Sequence, residues 1–137
     1  MKFKRVQHEF DKENATQRQH YVPLEVYRFA VMERMKYRND TPTLADIYYA
    51  LVKRGIELVN SGKAKPVFSD KNRVAYSVAV RIWFDYDTND QILALKFRAE
   101  NGEFETPDGK THLVSYAVVL METAIQNLNQ PSESAAQ

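Results

Sequence analysis

The chain has 137 residues, 44% hydrophobic and 27% charged, enough for one compact domain with a real core and too few for two ordinary ones. It contains no cysteine, which excludes disulfides, thiolate zinc sites, iron–sulfur clusters and cysteine nucleophiles together. The net charge of +1 hides an asymmetry: residues 1–73 carry 15 Lys and Arg against 9 Asp and Glu, a balance of +6, and residues 74–137 carry 4 against 9, a balance of −5.

A basic half joined to an acidic half has two readings. Either the basic half meets a polyanion, or the two halves face each other within or between chains. The start of the chain, MKFKRVQHEF, has basic residues with no apolar segment behind them, and no apolar run is long enough to span a bilayer. The expectation is a cytoplasmic protein without a membrane partner.

Residues 1–15 are polar and lack periodicity, and read as an N-terminal arm that is free to move. Residues 16–22 (TQRQHYV) are β-compatible and short. Pro23 suits a first helical turn, and apolar residues recur at helical spacing from Leu24 to about Tyr37. Residues 39–43 (NDTPT) are a break with two possible caps, Thr41 and Thr43. The helix that follows, from about Leu44 to Val59, carries Leu44, Ile47, Tyr48, Leu51, Gly55, Leu58 and Val59 on one face and further apolar residues around it. Such a helix is buried on more than one side.

Residues 63–73 form a polar connector with room for a short strand at Val67-Phe68. From Val74 to Phe84 every even position is large and apolar, the pattern of a strand with one buried face. Residues 87–90 (DTND) offer caps for a helix over about 91–100, which Asn101-Gly102 ends. A last helix is expected over about 112–128, and residues 130–137 as a disordered tail.

Nothing in the chain points to catalysis. His8, His20 and His112 are scattered, without metal-ligand spacing. Asp85, Asp87 and Asp90 lack the mid-loop Gly and closing Glu of a calcium loop and suit helix capping better. No phosphate loop, dinucleotide fingerprint or nucleophile elbow is present. The expectation is a binding protein, not an enzyme, with no cofactor and no metal.

The order strand, helix, helix occurs twice, in residues 16–62 and 74–129. At an offset of 69 the two longest helices match Leu44 with Leu113, Leu51 with Leu120, Ile56 with Ile125 and Asn60 with Asn129. Two explanations stand, an internal duplication and the general likeness of buried amphipathic helices.

The segment QRQHYVPLEVYRFAVMERMKY, a break, and then TPTLADIYYALVKRGIELV resembles the ribbon–helix–helix family. The resemblance implies an α+β fold of two fused ribbon–helix–helix units in one pseudo-two-fold domain. In that family two strands pair antiparallel and enter the major groove of duplex DNA, and the starts of the second helices hold phosphates. Some members, relaxosome proteins of conjugative plasmids among them, carry both units in one chain. The implied function is sequence-specific DNA binding, as a repressor or relaxosome accessory protein. Gln17, Gln19, Tyr21, Ser77 and Arg81, with Ala79 beside them, would face the bases; Lys2, Lys4, Arg5, Thr43 and Thr111 would meet phosphates. The opposite parity of the first strand, with Arg18 and His20 outward, stays open. The acidic second half suits a protein partner as much as DNA. The alternative reading is a protein–protein module, such as a phage- or plasmid-encoded inhibitor, with Val67-Phe68 paired to residues 74–84 as a hairpin.

Overall fold

Alternating residues from Ala15 onward and from Ser77 onward make two nine-residue strands, and each runs into a helix without a loop. In the computed structural model, which describes residues 1–38, 41–67, 77–104 and 115–128, the order is β1 (Ala15–Pro23), α1 (Leu24–Arg34), α2 (Leu44–Asn60), β2 (Ser77–Asp85), α3 (Tyr86–Glu100) and α4 (Tyr116–Gln126). The fold is α+β, with a two-stranded antiparallel sheet. Ala15 lies opposite Asp85, Gln19 opposite Arg81 at the centre, and Pro23 opposite Ser77.

Both strand-to-helix junctions use the same backbone geometry. Pro23 sits at φ −57°, ψ 151°, and Asp85 at φ −59°, ψ 154°. The proline ring sets that φ covalently. Asp85 reaches it with a side chain that accepts the Thr88 N–H at 3.2 Å, capping α3. This moves the start of α3 to Tyr86, five residues before the expected Gln91, because Asp85 and not residues 87–90 is the cap. Pro23 is the N-cap of α1 and the last residue of β1, not a first-turn residue.

The inner face of the sheet carries His20, Val22, Ile82 and Phe84, all buried. Against it pack α2 and α4, with Val26 and Ala30 of α1 and Ile92, Leu95 and Ala99 of α3 closing the sides. Ten of the seventeen residues of α2 are buried, so it is covered on more than one side as its composition implies.

The two central helices cross backbone to backbone at Gly55. A methyl group placed there would lie 2.2 Å from the carbonyl oxygen of Leu120 and 2.9 Å from its Cα. Only hydrogen fits between the helices at that point.

Helices α2 and α4 start at caps Thr43 and Ser115, which are 72 residues apart. The expected match at 69 is therefore shifted by three, and Leu51 falls opposite Thr123 when caps are aligned. The expected first helix ends three residues early, at Arg34, and the last one is described over Tyr116–Gln126. At Val67 there is no strand: its N–H donates to Thr123 Oγ1 at 2.9 Å, and β2 pairs with β1 along its described length. The hairpin alternative fails at that residue, while Phe68, residues 74–76, the Thr106-Pro107 pair and the tail after Leu128 lie outside the described residues.

The arm is not loose. Phe3 is buried, its N–H donates to the Tyr37 hydroxyl at 2.8 Å, and a 3-10 turn forms over Gln7–Glu9. Isolated anchors such as Phe3 and Gln7 have no period, so a reading by periodicity passes over them.

Gly55→Ala should lose about 2 kcal/mol of stability, although alanine favours the helix by about 1 kcal/mol, because backbone atoms must part to admit the methyl. Urea unfolding measures this. A neutral or stabilising result would mean that the helices are further apart than described.

Candidate nucleic-acid interface

Strand geometry alone puts alternate residues on opposite faces. In β1 the buried residues His20 and Val22 alternate with exposed Gln17, Gln19 and Tyr21. In β2, Ile82 and Phe84 are buried, Ala79 and Arg81 exposed, and Ser77 and Trp83 half-buried. The register sets Gln17 opposite Trp83, Gln19 opposite Arg81 and Tyr21 opposite Ala79. Five of the expected base-facing positions, Gln17, Gln19, Tyr21, Ser77 and Arg81, thus share the outer face of the sheet. Gln19 Nε2 donates to the Tyr21 hydroxyl at 3.1 Å. Arg18 belongs to the inner parity but its long side chain reaches solvent.

His20 shows why the parity falls this way. Its ring packs edge-on against Phe84 at 5.8 Å, and Nδ1 lies 3.0 Å from Ser115 Oγ, the cap of α4. Nε2 has no partner among the described residues. Burial, and then the nearby Arg18 charge, lower its pKa to about 4. A neutral His20 is a core residue tying β1 to the start of α4.

At the other end of the sheet the start of α2 is closed by its own carboxylate. Thr43 Oγ1 accepts from the Asp46 N–H, while Asp46 Oδ2 accepts from the Thr43 N–H at 2.7 Å and from its hydroxyl at 2.9 Å. Asp46 Oδ1 accepts the N–H groups of Val6 and Gln7 at 2.9 and 2.7 Å. Burial alone would raise the Asp46 carboxyl; these bonds from Gln7, Val6 and Thr43 outweigh it and hold it below the ordinary value. Gln7 then reaches β2, donating to Trp83 O at 2.8 Å and accepting from Trp83 N at 2.7 Å, as a neighbouring strand would. The arm therefore covers the free edge of β2 at Trp83 and lies across the start of α2.

Thr43 is exposed, but its hydroxyl and N–H are both committed to Asp46. Lys2, Lys4 and Arg5 are exposed on the arm that crosses this helix start. Thr111 lies outside the described residues. Asp85, which would bring acid to the sheet's end, is turned to structural use, accepting the Tyr49 hydroxyl at 2.7 Å. Burial, helped by this acceptor, pushes Tyr49 up to about 12.

Sequence reasoning missed Gln7, Asp46 and Ser115. The Thr43-x-x-Asp46 spacing was the available signal for a capping box. Gln7 offered none, because its partner Trp83 is 76 residues away.

Among the described residues, no group of three or more His, Asp or Glu side chains is placed to hold a metal ion, and no helix is long and apolar enough to cross a membrane. A cleft of about 940 Å³ runs between the arm and α2, with Lys2, Lys4, Tyr49, Lys53 and Asn60 in its lining and none of the outer-face sheet residues. No family model, curated protein or solved structure matches the chain.

Since an unfolded histidine takes its proton near pH 6.5 and His20 in the fold only near 4, the fold keeps its full stability above about pH 6.5 and loses it as pH falls toward 4. The loss should be on the order of 2–3 kcal/mol, measured by urea unfolding at descending pH. His20→Gln should flatten that part of the profile. Equal slopes in the two proteins would show that His20 is not held neutral.

Proposed function

We propose that this chain is a tandem ribbon–helix–helix protein that binds duplex DNA with the outer face of its two-stranded sheet, as a repressor or relaxosome-type accessory protein. The observation that carries the reading is the β1–β2 ribbon, backed on one side by helices and exposed on the other at Gln17, Gln19, Tyr21, Ala79 and Arg81. A ribbon of this width fits a major groove, where Gln bonds adenine and Arg bonds guanine in bidentate fashion. Gln19 and Arg81 face each other at the middle of the register, the point that would meet the centre of the site.

The phosphate contacts follow from the asymmetry of the helix starts. At α2 the Asp46 carboxylate takes the place of an outside anion, so Lys2, Lys4 and Arg5 on the covering arm supply positive charge there. The order of the elements, strand–helix–helix twice, and the direct strand-to-helix junctions at Pro23 and Asp85 support the same reading.

Fluorescence anisotropy with labelled duplexes tests it. Binding to random duplex should weaken steeply with salt, because each neutralised phosphate releases counterions. With a duplex selected from a random pool, Arg81→Ala should lose about 1–3 kcal/mol of discrimination against random DNA and keep its fold. No binding to any duplex at low salt would refute the proposal, and equal losses on selected and random DNA would make Arg81 a phosphate contact.

A further inference from the structure

Counted from the first residue of each strand, α1 and α3 have matching positions 62 residues apart: Leu24 with Tyr86, Arg28 with Asp90, Val31 with Leu93 and Met35 with Phe97. These residues follow the i, i+4, i+7, i+11 spacing of a single stripe, Met35 standing at the C-cap just past the end of α1. The apolar residues of the α3 stripe are bare, with Phe97 67% exposed, Tyr86 51% and Leu93 44%; on the α1 stripe Leu24 and Val31 are half-buried and Met35 is 73% exposed, with Met32 beside it at 63%. Arg28 and Asp90 are exposed too, and neither has an ion-pair or hydrogen-bond partner among the described residues.

The stripes cannot cover each other within one molecule. α1 leaves the sheet at the Pro23–Ser77 end and α3 at the Asp85–Ala15 end, a strand length of roughly 30 Å apart. Each has an apolar surface with one charge in its middle, and the two charges are opposite.

We propose that a second copy of this chain covers them: α1 of one molecule packs on α3 of the next, with the Arg28 guanidinium against the Asp90 carboxylate and Met32 and Met35 against Leu93 and Phe97. The charges choose this pairing. α1 on α1 would set two Arg28 side by side, and α3 on α3 two Asp90; only α1 on α3 joins opposite signs. Methionine side chains adapt readily to an aromatic partner. The contact joins two different surfaces, so it either repeats head to tail from molecule to molecule or occurs twice in a two-fold dimer. It uses none of Gln17, Gln19, Tyr21 or Arg81, so the outer face of every sheet stays open, and it stands or falls apart from DNA binding.

Sedimentation velocity on the full chain without DNA, over a concentration series, tests the contact. Wild-type protein should sediment faster as concentration rises. R28D and D90R should each weaken association about tenfold, because each sets like charges together, and the R28D/D90R double variant should regain most of it. Urea midpoints, taken at a dilution where all four proteins are monomeric, should be alike, since both side chains are exposed. A wild-type chain that stays monomeric throughout overturns the proposal. So does a double variant as weak as the single ones, or a D90R protein that associates like wild type, the result expected for α1 on α1.

Discussion

Everything else in this fold rests on how closely α2 and α4 approach at Gly55. A two-stranded sheet is marginal by itself in water and needs a layer beneath it. That layer exists because hydrogen at Gly55 lets the Leu120 main chain come within a distance that any side chain would forbid. With the helices so close, Ile82 and Phe84 from one strand and Val22 from the other reach the same core. The ribbon is then flat against helices on one side and free on the other, and the free side is what the proposed function uses.

The two halves are alike in order and unlike in chemistry. Pro23 and Asp85 make the same turn by a ring in one case and a hydrogen-bonded carboxylate in the other. The start of α2 is sealed by Asp46 and the arm, while the start of α4 is held by Ser115 and touched by His20. Rings link these ends: Phe10 lies 5.4 Å from Tyr49, Tyr49 5.9 Å from Phe84, and Phe84 5.8 Å from His20. The basic and acidic halves of the chain thus belong to one core with different exposed helices at its two ends, Arg28 on one and Asp90 on the other.

Much of this fold is legible in the sequence itself, for physical reasons. The alternation in residues 77–84 and the apolar density of α2 are local patterns, and local patterns fix faces. Val22 sets the parity of β1 because a wholly buried valine cannot share a face with solvated Gln19. The features that sequence patterns do not carry are long-range and singular. Gln7 finds Trp83 across 76 residues, and Asp46 gains its arm contacts across 40 and 39. The start of α3 falls earlier than the sequence suggests because four polar residues in a row all look like caps, and only the junction with β2 selects Asp85.

Whether the outer ribbon face is the surface that meets DNA is tested most directly by backbone amide NMR of the isotope-labelled full chain, titrated with duplex DNA at low salt. The largest shifts should fall on Gln17, Gln19, Tyr21, Ala79 and Arg81, with smaller ones on Lys2, Lys4 and Arg5. Shifts confined to the helices, with these strand amides unmoved at saturating DNA, would contradict that assignment.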